Sequence, residues 1–206
     1  MADLSMRLST NFTLGELLQS DTAERSDELL QVQQNPPDAV IESLKYLAET
    51  TLQTVRDQIN HAILINSGYR SPQVNALVGG SGTSQHVRGE AADCRLSPTF
   101  LTDARTAPIR QKIESEVKAR TGRPVRPGVS EQFYLFAYIC LHLDALDVDQ
   151  VIHEYGDGFG HPAWVHVSAS RRQNRRQILG IGRYTNRQYV RPTLAQALDY
   201  GTSAQS

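Results

Sequence analysis

The sequence predicts an α+β fold, a single domain in which a small antiparallel sheet packs against helices. Three observations predict it. Residues 38–59 place Val40, Leu44, Leu47, Leu52, Val55 and Ile59 at helical spacing, which gives one long amphipathic helix. Apolar runs at 61–66, 90–96, 150–155 and 163–169 have strand length, and the last two flank the glycine-rich spacer GDGFGHP, a hairpin signal. The chain also carries no internal repeat and no low-complexity tract, so its 206 residues read as one core.

Taken in order, Thr13-Leu-Gly-Glu16 has the spacing of a capping box and starts a short helix. After Asn35-Pro36-Pro37 comes the long helix, and HAILIN at 61–66 follows as a buried strand. Residues 71–78 form a short helix closed by Gly79-Gly80. A strand is expected at 90–96, a helix around 109–119, and a nearly all-apolar buried helix over 130–146. The domain proper spans 1–168, with 97–129 as a variable helical and loop insertion. Residues 169–206 form a basic extension on the same domain.

Composition narrows the function classes. Hydrophobic residues make up 39% of the chain and charged residues 21%, a globular balance. Cys94 and Cys140 form no CxxC pair and no disulfide framework. The longest apolar run, 133–146, contains His142 and Asp144 and is too short to cross a bilayer. MADLSMRLSTNF lacks a basic patch followed by an apolar stretch, so synthesis in the cytoplasm without a signal peptide is expected. The net charge of −1 is unevenly spread, acidic over 1–60 and basic over 169–206, where Arg171, Arg172, Arg175 and Arg176 cluster. That cluster lacks a nucleic-acid-binding motif and is expected to pair with the acidic N-terminal segment.

Chemistry concentrates at 66–94. Ser84-x-His86-x-x-Gly89-x-Ala91-x-Asp93 is followed far downstream by Trp164-Val-His166-Val-Ser168. His86, Asp93 and His166 make a three-ligand set suited to one zinc ion per chain, with a fourth position left for water. Gly89 is expected to keep a side chain from crowding the metal between the first two ligands. A hairpin centred on Gly160 sets Glu154 directly opposite His166, where it can accept a proton from water and pass it to a leaving amine. Trp164 shares the side of His166 and floors the cleft or packs in the core. Cys94 points to the opposite side.

These two segments resemble the zinc D-alanyl-D-alanine carboxypeptidase family, whose fold is shared by the hedgehog signalling domain. The resemblance runs from about Asn11 to Ser168 and includes NFTLGEL and SGYRS. It implies His86, Asp93 and His166 as zinc ligands, Glu154 as general base, Arg70 facing the substrate carbonyl and Ser84 lining the pocket. Many members carry the glutamate close before the second histidine; here it lies twelve residues back, with Asp157 and His161 as substitutes. The implied activity is hydrolysis of an amide bond in the peptidoglycan stem peptide, as carboxypeptidase or endopeptidase. Without an export signal, a phage or prophage lysis enzyme, or one carried in a virion, is the expected setting. The rival reading is a non-catalytic zinc-binding module or a virion structural protein that retains the fold. Oligomeric state is left open.

Overall fold

The structure is a computed structural model that describes residues 2–202. Five strands form one sheet: β1 (Ile63–Ser67), β2 (Ala91–Leu96), β3 (Gln150–Glu154), β4 (Trp164–Ser168) and β5 (Gln177–Ile181). Their order is β1-β2-β4-β3-β5. The first three pairings are antiparallel, and β5 adds to β3 in parallel. The helices are α1 (Leu14–Leu18), α2 (Asp27–Gln33), α3 (Asp38–Tyr46), α4 (Gln53–Ile59), α5 (Pro72–Leu77), α6 (Ala107–Thr121), α7 (Glu131–Leu141) and α8 (Leu194–Leu198). The α+β class, with helices packed on a mostly antiparallel sheet, is the one the sequence predicts.

Strand periodicity gives the sheet two unlike faces. Ala92, Cys94, Val151, Val165 and Val167 are buried on the back, where α7 crosses β2, β3 and β4. Every residue of α7 from Gln132 to Cys140 is buried, because α6 and α8 cover its outer side. This helix ends at Leu141 and not at 146, as His142 breaks out and turns its Nδ1 onto the Tyr138 carbonyl, 2.8 Å away.

The long helix is present but not uniform. α3 and α4 are joined by a π-helical stretch over Leu47–Leu52. The apolar pattern does not mark it, since the buried residues Leu44, Leu47, Ala48, Thr51, Leu52 and Val55 keep the three- and four-residue steps of a regular helix. Thr50 Oγ1 donates to the Tyr46 carbonyl at 2.8 Å, and the buried Thr51 hydroxyl donates to the Asp147 carbonyl at 2.8 Å. Thr51 and Leu52 are both buried, each one α-turn beyond buried Leu47 and Ala48.

The N-terminal helices hold the chain that leads to the front face. The capping box at α1 forms, with Glu16 N donating to Thr13 Oγ1 and Thr13 N donating to Glu16 Oε2 at 2.7 Å. Tyr69 N then donates to the Leu17 carbonyl at 2.8 Å. The buried Gln33 of α2 donates to the carbonyls of Leu18 and Tyr69 and accepts from Ser71 N at 2.9 Å. Arg70 lies in the centre of this clamp.

Candidate metal centre

The register of the sheet brings the ligand set together. Asp93 pairs with His166 across β2 and β4, and His166 pairs with Ile152 across β4 and β3. A bulge between Ile65 and Ser67 places Ser67 opposite Asp93. Ser67, Asp93, His166, Ile152 and Leu179 therefore form one row across the front face.

His86 reaches the same point from a 3₁₀ turn, Gln85–Arg88. Ser84 caps this turn by accepting from His86 N at 3.3 Å, and it also lines the cleft. Gly89 closes the turn in the left-handed conformation, φ +68°. A Cβ there would stand 2.7 Å from the Val40 carbonyl oxygen of α3. The glycine is thus required by its backbone angle and by the approach of the helix, not by crowding at the metal as the spacing suggests. At the other end of the turn, Gln85 Nε2 donates to Asp149 Oδ2 at 2.8 Å. The buried Asp149 also takes the guanidinium of Arg175. Burial raises the Asp149 carboxyl, but Arg175 and its backbone N–H outweigh that and hold it below its ordinary value.

The three ligand atoms form a nearly regular triangle. His86 Nε2 lies 3.2 Å from His166 Nδ1 and 3.3 Å from Asp93 Oδ1, and His166 Nδ1 lies 3.1 Å from Asp93 Oδ1. Ligands at roughly 2.0 Å from a tetrahedral ion stand about 3.3 Å apart, so these edges fit zinc. The protonation pattern fits too. His86 Nδ1 is 2.6 Å from the Gly68 carbonyl and must donate to it, which leaves Nε2 as a lone pair facing the triangle. His166 turns Nδ1 inward, and its Nε2 is buried without a partner among the described residues. All three residues are buried. Burial pushes the Asp93 carboxyl up, but the two imidazoles overcome that and hold it well below the usual range. Its second oxygen, Oδ2, accepts from Arg70 Nη2 at 2.6 Å, while Arg70 Nε donates to Ser67 Oγ at 2.9 Å.

Glu154 is placed differently from the sequence expectation. It pairs with Trp164, not with His166, so the hairpin is centred on residue 159 and the pairing is shifted by two. An even shift preserves the face, and Glu154 remains beside His166 as its diagonal neighbour. The reason lies in the loop, where Tyr155 adopts a positive φ of 53° and Ala163 N donates back to the Glu154 carbonyl at 2.9 Å. Trp164 Nε1 donates to Glu154 Oε2 at 2.7 Å and so aims the carboxylate. Burial raises the Glu154 carboxyl most, His166 opposes this, the Asp93 charge adds to the rise, and the net direction is upward.

These groups line an open cleft of about 1320 Å³. Arg70, Ser84, Glu154 and Trp164 all face it together with the metal triangle. Asp157 and His161 are not among its lining residues, and Asp157 instead accepts from Phe159 N at 2.7 Å. Ile152, Leu179 and Ile181 make an apolar patch on the same side. Sequence reasoning missed Gln33, which clamps the backbone at Tyr69 and Ser71, and Tyr155, Tyr189 and Arg191, which line the cleft.

A buried His–Asp–His triangle beneath an open cleft, with a carboxylate of raised pKa at its side, comprises the parts of a single-metal hydrolytic centre. The chain belongs to the Peptidase M15 family, the zinc D-alanyl-D-alanine carboxypeptidase family whose pattern the sequence carries, and the family's model matches residues 10–123. That stretch contains Arg70, Ser84, His86 and Asp93 and ends before Glu154, Trp164 and His166. Among curated proteins none matches the chain.

Proposed function

We propose that this peptidase is a zinc enzyme that hydrolyses an amide bond in the stem peptide of bacterial peptidoglycan. One observation carries the reading: a ligand triangle with edges of 3.1 to 3.3 Å, on the same sheet face as the buried Glu154 and open to the cleft. His86 Nε2, Asp93 Oδ1 and His166 Nδ1 would hold the ion, which lowers the pKa of water and polarises a carbonyl when bound.

The chain's own groups do the remainder. Glu154 takes the proton of the attacking water on its carboxylate and delivers it to the nitrogen of the departing amine. Its raised pKa suits both halves of that task, because a carboxylate too acidic would not accept the proton. The indole N–H of Trp164 keeps the carboxylate turned towards His166. Arg70 fixes Asp93 through Oδ2, so that Oδ1 is left to the triangle, and its cationic plane adds positive potential beside the scissile carbonyl. The peptide lies in the cleft between the glycine-rich 79–84 loop and the β5 side.

Digestion of purified peptidoglycan by zinc-loaded protein, read by mass spectrometry of the fragments, tests the reading. Release of terminal alanine or of internal stem fragments is expected. Glu154→Gln is expected to retain zinc and lose cleavage. Intact walls after treatment with zinc-loaded wild type, across walls of both major stem chemistries, would overturn it.

A further inference from the structure

The segment beyond β5 turns back and pairs with it. Gly180 N donates to the Val190 carbonyl at 3.0 Å and Val190 N donates to the Gly180 carbonyl at 2.9 Å, an antiparallel bridge. Residues on either side of such a bridge face together, so Tyr189 stands beside Ile181 and Arg191 beside Leu179 on the front face. Both line the cleft. Arg191 therefore extends the row that runs Asp93, His166, Ile152 and Leu179, and Tyr189 extends the row Trp164, Glu154 and Ile181.

Four arginines line the cleft, and three are engaged. Arg70 binds Asp93, Arg88 binds Glu90 and Arg175 binds Asp149. Among the described residues no carboxylate pairs with Arg191, which is exposed. Three strand spacings separate its backbone from that of His166, roughly 14 Å. An arginine side chain turned towards the triangle can span about half of this, which leaves room for one or two amino-acid residues between the guanidinium and the ligand triangle. The floor of that gap is Ile152 and Leu179, apolar and without a polar demand on what lies over it. The phenol of Tyr189 walls the gap, and its pKa is pushed up to about 12, first by its partial covering and then by the negative charge of Glu154.

We propose that Arg191 anchors the free α-carboxylate of the substrate's last residue, whose small side chain lies on Ile152 and Leu179. A guanidinium without an internal partner gives a carboxylate a charge-assisted pair that an amide cannot replace. The cleft then selects peptide ends over internal bonds. This rests on the peptidase reading for its substrate, and the selection resides in a segment outside the family match.

Binding separates the two readings. The probes are diacetyl-L-Lys-D-Ala-D-Ala and its C-terminal amide, titrated calorimetrically into the zinc-loaded Glu154→Gln protein so that nothing is cleaved. The acid is expected to bind about tenfold more tightly than the amide, or 1.4 kcal/mol. Adding Arg191→Ala should bring the two within about twofold, mainly by weakening the acid, and Arg191→Lys should restore part of the difference. Equal binding of acid and amide, a preference that survives Arg191→Ala, or no binding of either probe would each overturn the anchor. Cleavage of whole peptidoglycan by wild type would leave the peptidase reading standing in those cases. An Arg191-dependent preference without any cleavage would instead keep the anchor and remove the peptidase reading.

Discussion

Two buried histidines on adjacent strands, His166 of β4 and His153 of β3, differ in the face they occupy. His166 pairs with Ile152 and faces the cleft; His153 pairs with Val165 and faces the helices. His153 is enclosed by Phe136, Tyr184 and Tyr200, with ring centroids 5.0 to 5.6 Å away, and its Nε2 is also a buried atom with no partner among the described residues. Burial and an orphaned nitrogen are thus common to both. What separates a candidate metal position from a core position here is convergence: of the two, only His166 meets a second imidazole and a carboxylate, and only its side opens to the cleft.

The largest expected effect breaks the front side. His166→Ala should lower zinc affinity by more than about 1000-fold, beyond the roughly 10- to 100-fold that accompanies loss of an outer-shell partner. A competition titration with a chelator reads this, and the zinc-dependent rise in melting temperature should vanish with it. His153→Asn should leave zinc affinity unchanged. Equal losses in the two variants would erase the distinction between the faces.

The back side is expected to show itself through pH. Burial holds the His153 imidazole down at about 4, against an ordinary value of 6.5. Above 6.5 it is neutral in both folded and unfolded chains, and its contribution is intact. As pH falls from 6.5 towards 4, the unfolded chain takes up a proton that the folded one refuses, and stability drops, by on the order of 3 kcal/mol. Urea unfolding of the metal-free protein over this window should be flatter for His153→Asn than for wild type by about that amount. Parallel curves would show that His153 is solvated in the native state.

Smaller effects sharpen the contrast. Trp164→Phe removes the N–H that aims Glu154 and should cost about tenfold in kcat with zinc content unchanged. On the other face, Cys94→Ala should cost about 1 kcal/mol of stability through lost packing, with no change in zinc affinity or rate. A rate effect from Cys94→Ala would mean that the back of the sheet sets the geometry of its front.

Much of the site was legible before the fold. His86, Asp93 and His166 stood out because two imidazoles and a carboxylate in small-residue surroundings have few structural uses together. The face shared by Glu154 and His166 was also readable from strand parity, although their direct pairing was not. Register depends on how the 155–163 loop closes, and its positive φ at Tyr155 falls on a residue type that does not announce it. The π stretch at Leu47–Leu52 left no trace in the sequence, because the apolar positions on either side of it keep ordinary α-helical spacing. β5 was hidden for a different reason. QILGI carries two strong β-formers beside a glycine, follows four arginines within six residues, and pairs in parallel with a strand 27 residues earlier. Local composition shows the charge there, and the partner is set only by the tertiary fold.

The strand order has a consequence for how such a protein can change. β2 and β4, which carry Asp93 and His166, each have neighbours on both sides, so a substitution there disturbs two ladders at once. β5 lies at the margin, and Tyr189 and Arg191 hang on it by a single bridge. Drift, or a laboratory library, can rewrite the exposed Tyr189 and Arg191 while the inherited chemistry stays locked in the interior. New specificities in this scaffold should therefore arise at its border, with the reactive centre passed on unaltered.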